Sequence, residues 1–219
     1  MPFPLSIHEE LRRAVEPGAS VLLAISGGVD SAVSLAVLHE LGCDVQTVTF
    51  KNFCYAQHED AGEKACCSLD AIDEARALAA RFAARHRVHD VADSFRTRVI
   101  DPFVAEYAAA RTPNPCLACN STVRFPELLR LADQQGCDLV ATGHYARTTP
   151  DPDGTTWLRR GVDRDKDQSY FLSHVPREVW PRVVFPLGWS RKPEVREAAR
   201  ALGLRVADKA ESQEICFVP

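Results

Sequence analysis

Ser20-Val21-Leu22-Leu23-Ala24-Ile25-Ser26-Gly27-Gly28-Val29-Asp30-Ser31 is the stretch that decides the architecture. Its first six residues are a short apolar run ending in Ser-Gly-Gly, which reads as a buried strand. From Ser31 to Leu41 the apolar residues Ala32, Val33, Leu35, Ala36, Leu38 and Leu41 fall at helical spacing, and Gly42 stops the pattern. Working outward, Val45–Phe50 reads as a second strand and Ser68–Arg85 as an Ala-rich helix with Ser68 as N-cap. Arg87–Val91 is a third strand, Phe95–Ala110 a helix despite Pro102, Phe125–Gln135 another helix, and Asp138–Thr142 a fourth strand. Strands alternating with helices predict a parallel sheet covered on both faces. Thr148–Thr155 reads as a turn joining two short strands, and Lys192–Leu202 as a helix with Pro193 in its first turn.

The chain has 219 residues, 46% hydrophobic and 26% charged, the composition of one sizeable globular domain with room for a small annex. No apolar run reaches the roughly 18 residues that span a bilayer. Met1–Ser20 carries Glu9, Glu10, Arg12, Arg13 and Glu16 and no apolar core, so it does not read as a secretory signal. The expectation is a cytoplasmic protein that does not engage membranes. Net charge is −4, unevenly spread: Arg177–Lys209 holds 8 Lys/Arg against 4 Asp/Glu. That excess suits either a polyanion-facing segment or a solvated helix face.

Ser26-Gly27-Gly28-Val29-Asp30-Ser31 joins the first strand to the first helix. Glycines let backbone approach an anion, and the helix N-terminus offers free N–H groups and partial positive charge. Without a Gly-Lys-Ser/Thr ending it is not a Walker A loop. The full string resembles the PP-loop of ATP pyrophosphatases, which release pyrophosphate as they adenylate a substrate. That resemblance implies a Rossmann-like, doubly wound parallel sheet, and ATP with Mg2+ as ligands. Asp30 is a candidate aid to the magnesium, since carboxylates suit that hard ion.

The eight cysteines are Cys43, Cys54, Cys66, Cys67, Cys116, Cys119, Cys137 and Cys216. In a chain of this length they read as catalytic, metal-binding or buried thiols rather than a disulfide scaffold. Cys43 and Cys137 sit in helix-to-strand turns and read as structural.

Arg111-Thr112-Pro113-Asn114-Pro115-Cys116-Leu117-Ala118-Cys119-Asn120 resembles a segment of the tRNA-uridine 2-sulfurtransferases. So do Ala141–Arg147, Lys166–Leu172 and Ser212–Phe217, and Cys66-Cys67-Ser68-Leu69 has a counterpart in many members. The resemblance runs from about Val21 to the C-terminus. It implies roles position by position. Cys119 matches the family's nucleophilic cysteine and Cys216 the one that carries a persulfide. Ala24, Ile25, Ser26, Gly27, Gly28, Val29, Asp30 and Ser31 match the ATP loop, with Phe50 and Gly143 on the adenine side. Asn114, Pro115 and Cys116 lie where the target base is held, and His144, Lys166, Asp167 and Gln168 where the family touches tRNA. A cysteine desulfurase or sulfur carrier is the implied sulfur donor.

Two departures stand out. Many relatives have Asp where this chain has Cys116, and Cys116, Cys119 and Cys216 could instead ligate a [4Fe–4S] cluster; Cys54, Cys66 and Cys67 could join only if the fold brought them close. The chain also stops at Pro219, without the β-rich domains that follow in the family. The expected organisation is residues 1–172 as the PP-loop catalytic domain and 173–219 as a helical segment carrying Cys216. The alternatives left open are a shortened enzyme thiolating a small nucleobase-like molecule, weak binding of tRNA, and a thiol- or metal-binding remnant without turnover.

Overall fold

The computed structural model describes residues 3–52, 69–209 and 215–218. Cys54, Cys66, Cys67, the Ser68 cap and Ser212–Glu214 lie outside the described residues. After a short helix α1 (Glu9–Ala14), the chain runs β1 (Ser20–Ala24), α2 (Val29–Glu40), β2 (Asp44–Lys51), α3 (Leu69–Arg81) and β3 (Arg85–Asp90). Two longer helical runs lead to β4 (Leu139–Thr142). A hairpin of β5 (Ala146–Pro150) and β6 (Thr156–Arg160), the short strand β7 (Val183–Val184) and the helix Lys192–Ala201 follow.

Among the described residues the main sheet is five-stranded and all-parallel, in the order β3-β2-β1-β4-β7. Strand order reverses beside β1, because the chain winds to β2 and β3 on one side and returns to β4 on the other. In such sheets the crevice outside the carboxyl ends of the two central strands is where ligands bind. β1 is buried on both faces, and its residues sort by parity. Val21, Leu23 and Ile25 join the core under α2, α3 and the helix Lys192–Ala201. Leu22 and Ala24 join the core under the two longer helical runs. The doubly wound reading of the sequence is therefore correct. β7, which carries no periodicity over two residues, had no sequence signal.

α2 is more buried than its spacing implied: every residue from Ala32 to Leu38 is buried. The sheet covers one side of it, and α3 and the helix Lys192–Ala201 cover others. α3 ends at Arg81, and Arg85 already belongs to β3, which corrects the expected helical end at Arg85. The stop is made by Ala83 at φ 52°, with Ala84 N–H donating to the Ala79 carbonyl (2.9 Å). This is a left-handed helix terminus built without the usual glycine.

Both longer helical runs widen into π turns. The first passes from Ala92–Phe95 through π-helical Arg96–Ile100 into Asp101–Ala108. The second passes from Pro115–Ala118 through π-helical Cys119–Arg124 into Phe125–Gln135, so helix begins ten residues earlier than the expected Phe125. Each π turn ends two residues before a proline, Pro102 or Pro126. A helical proline lacks its N–H and its ring clashes with the carbonyl four residues back. Widening the preceding turn relieves the clash. The carbonyl that Pro126 leaves without a backbone donor is that of Thr122, and the Arg98 guanidinium donates to it at 2.9 Å.

Candidate functional site

The loop Ile25–Ser31 leaves the carboxyl end of β1 and turns into α2. Gly27 sits at φ +69°, and a Cβ there would stand 2.6 Å from the Ala71 carbonyl oxygen, so α3 closes on the loop as only glycine permits. Ser31 Oγ donates to the Gly28 carbonyl (3.0 Å) and accepts from Ser26 N–H (3.3 Å), which fixes the loop's curl. Thr49 of β2 donates to the Ile25 carbonyl (2.9 Å). The N-terminal amides of the 12-residue α2 thus face the crevice at the strand-order reversal, the arrangement that binds phosphate.

Gly143, just past β4, lies against the same loop. A Cβ on it would be 3.1 Å from both Ser31 N and the Asp30 carbonyl carbon. Phe50, at the end of β2, is buried, edge-on to His89 and beneath the Arg124 guanidinium. The expected phosphate-side and adenine-side residues therefore gather at the carboxyl ends of β1, β2 and β4. A cavity of about 110 Å³ touches only Gly27 and Gly28 of this set. It lies behind the loop, between α3 and Leu204–Val206, away from Gly143 and Phe50.

Asp30 is more engaged than a magnesium ligand needs to be. Lys192 Nζ donates to both carboxylate oxygens at 2.8 Å, and Tyr145 OH donates to Oδ1 at 2.8 Å. Lys192 and Tyr145 are buried, and the ammonium stands 5.6 Å from the Tyr145 ring centre. Sequence reading missed both residues. Tyr145 is one residue past the expected His144. Lys192 looked like an ordinary first-turn lysine. Gln168 clamps the Tyr145 backbone, accepting from its N–H (3.0 Å) and donating its own N–H to its carbonyl (2.9 Å). Asp167 is likewise spent on local structure, accepting from Gly161 N–H, Ser169 N–H and Ser169 Oγ. Lys166 sits beside them, partly buried.

His144 keeps part of its surface exposed yet is packed between Phe125 and Phe185, with Nδ1 2.6 Å from Thr142 Oγ1. Burial, with a smaller contribution from Arg124, pushes its pKa down to about 3, so the ring is neutral near pH 7.

Asn114 caps the helix that carries Cys119, accepting from Cys116 N–H at 3.0 Å. Cys116 is exposed, Cys119 is partly buried and opens the π turn, and Pro115 is buried. Next to Cys119, buried Asn120 donates to the Phe171 carbonyl (2.9 Å), which ties this helix to the segment after Lys166–Gln168. Cys216 is partly buried, and its neighbour Phe217 packs edge-on to Phe95 and Phe103. Cys119 and Cys216 thus pack against the same core, on the face of the sheet opposite α2. Cys137 is buried, and burial pushes the Cys43 thiol up to about 11, in keeping with structural roles for both.

The expected iron–sulfur site finds no support in the described side chains. Among the described residues no three His, Cys, Asp or Glu side chains gather as a metal would require, so Cys116, Cys119 and Cys216 do not make a cluster cradle. Asp30 reaches the crevice already bonded to Lys192 and Tyr145. Among the described residues no helix is long and apolar enough to cross a membrane.

A reversed-order parallel sheet with a Ser-Gly-Gly-Val-Asp-Ser loop at its switch point defines an α/β nucleotide-binding domain of the PP-loop type. The chain matches the family model described as tRNA methyl transferase HUP domain over residues 19–219, and it belongs to that family. Relatives include the tRNA-specific 2-thiouridylase MnmA of Geobacter metallireducens, 50% identical over 91% of this chain and 55% of the relative. The protein of the same name from Salinibacter ruber is 45% identical over 91% of this chain and 53% of its own length. The chain therefore spans about half the length of the curated relatives it matches. Two solved structures share the fold, each with a TM-score of 0.51. An NMN synthetase from Francisella tularensis is 16% identical, covering 90% of this chain and 67% of its own. A 4-thiouridine synthetase in complex with RNA and bound ATP is 19% identical, covering 91% and 45%. Membership of this family implies ATP with Mg2+ as the nucleotide.

Proposed function

We propose that this chain is the ATP-binding and sulfur-transfer part of an enzyme that converts a tRNA uridine to its 2-thio form. The observation that carries the reading is the pairing of two features across one sheet. A PP-loop lies at the switch point, and Cys119 and Cys216, from segments far apart in sequence, pack against one core beside it. The names of the relatives point the same way.

The chemistry balances. The C2 carbonyl oxygen attacks the α-phosphorus of ATP, the bond to the bridging oxygen breaks, and pyrophosphate leaves. The terminal sulfur of a persulfide on Cys216 then attacks C2, and the oxygen departs as part of AMP. The base is now joined to Cys216 through a sulfur–sulfur bond. The Cys119 thiolate attacks Cys216 Sγ, releasing the thiolated base and leaving a Cys119–Cys216 disulfide. A dithiol reductant must reopen that disulfide, and a desulfurase or sulfur carrier must reload Cys216. Residues 1–172 hold the nucleotide loop and Cys119, and residues 173–219 bring Cys216.

Nucleoside mass spectrometry tests this in a host lacking its own 2-thiouridylase. Restored 2-thiouridine is the expected result for this chain, or for it joined to a relative's remaining half. A thiolated small metabolite without thiouridine would replace the tRNA reading. Release of ADP and phosphate, in place of AMP and pyrophosphate, would remove the adenylation step.

A further inference from the structure

Asp30 presents a problem of charge. It lies in the first turn of α2, where a carboxylate suits the helix dipole but opposes any phosphate held by the same amides. Lys192 presents the complementary problem. It opens the helix Lys192–Ala201, the end where a cation is disfavoured, and its side chain is only 7% exposed. A lysine is seldom placed there unless paired. Each oddity is resolved by the other: the ammonium reaches both Asp30 oxygens at 2.8 Å, and Tyr145 OH donates to Oδ1. The helix N-terminus at Lys192 is itself pinned by its backbone N–H on Asp163 (2.8 Å), so the ammonium is delivered from a fixed point.

We propose that Lys192 and Tyr145 are positioning residues of the nucleotide site. They act through Asp30, cancelling its charge and fixing its orientation so that the loop accepts the triphosphate. This rests on reading the loop as an ATP site. It assigns Asp30 to Lys192 rather than to the metal, and leaves Mg2+ to the phosphate oxygens and water. Removing the ammonium leaves an uncompensated negative charge beside the phosphates. Removing both charges restores neutrality, whatever packing is lost. A plain structural staple behaves otherwise, since the second substitution could only add damage.

The experiment is calorimetric titration of the 219-residue chain with ATP and MgCl2, with thermal melts run in parallel. Lys192→Met should weaken binding at least about tenfold at low salt, and less as salt screens the charge. Asp30→Asn/Lys192→Met should recover to within about threefold of the unsubstituted chain. Tyr145→Phe should cost about two- to threefold. If the unsubstituted chain binds no ATP, the nucleotide reading falls and this inference with it. If it binds and Lys192→Met binds equally, the inference alone falls. Should Lys192→Met fail to fold, the double variant decides: near-native affinity supports charge cancellation. Lost affinity in a folded double variant shows that Asp30 is needed for itself, and overturns it.

Discussion

At Gly143 an added methyl group would stand 3.1 Å from Ser31 N and from the Asp30 carbonyl carbon, so the loop would have to shift by a few tenths of an ångström away from β4. Gly143→Ala should weaken ATP binding at least about tenfold, with the melting temperature falling by only a few degrees, as the strain is confined to one contact. Unchanged affinity would mean that the loop's fit to β4 does not matter for the nucleotide. His144 gives a second test at this scale. Its pKa is lowered from 6.5 to about 3, so between those values the unfolded chain binds the proton and the folded one does not. Stability is therefore complete above about pH 6.5 and declines as pH falls toward 3, by up to ~1.4 kcal/mol per unit. His144→Gln should flatten the melting curve's dependence on pH across that window, and an equally steep profile would assign it to other groups. These sites differ in how readily sequence shows them. Ser26–Ser31 and Gly143 are legible because their chemistry sits in short contiguous strings. Lys192 and Tyr145 are not, because their partner lies 162 and 115 positions away and nothing local marks a lysine as buried.

Among the elements, the π turn at Cys119–Arg124 sets how Cys119, the proposed nucleophile, is presented. Pro126 forces the widening, and Arg98 satisfies the carbonyl that it frees. Pro126→Ala removes the reason for the extra residue in the turn. If the helix relaxes to the α form, residues before it rotate by about 100°, and Cys119 leaves its place against the core. The expected outcome is at least about a tenfold loss of sulfur transfer with equal or higher thermal stability. Full transfer in a demonstrably α-helical variant would show the π turn to be incidental. Secondary structure was readable where period and length agreed, as in β1, α2, β2 and Phe125–Gln135. It was misread where the cause was non-periodic. α3 ends on a left-handed alanine instead of a glycine, the helix holding Cys119 begins ten residues before its apolar pattern does, and β7 is too short to show a period.

For the molecule as a whole, the two cysteines proposed to handle sulfur come from the middle and the C-terminal end of the chain and share only the core beneath the helical layer. Cys119→Ser and Cys216→Ser should each abolish thiolation while leaving a single release of pyrophosphate from ATP, because adenylation precedes any use of sulfur. Cys43→Ser and Cys137→Ser should keep most activity. Thiolation by either of the first pair would overturn the assigned roles. The fold class was legible because alternating strands and helices admit few topologies, whereas the meeting of distant residues was not. That distance has a consequence in the cell. The chain leaves the ribosome from its N-terminus, and domains fold as they emerge. Asp30 is polymerised 162 residues before Lys192. Until then the loop presents a lone carboxylate to any nucleotide that drifts in. If Lys192 cancels that charge as proposed, a ribosome-bound chain would not trap cellular ATP in a half-built protein, and competence would arrive only when the helix bearing Lys192 has been translated and docked.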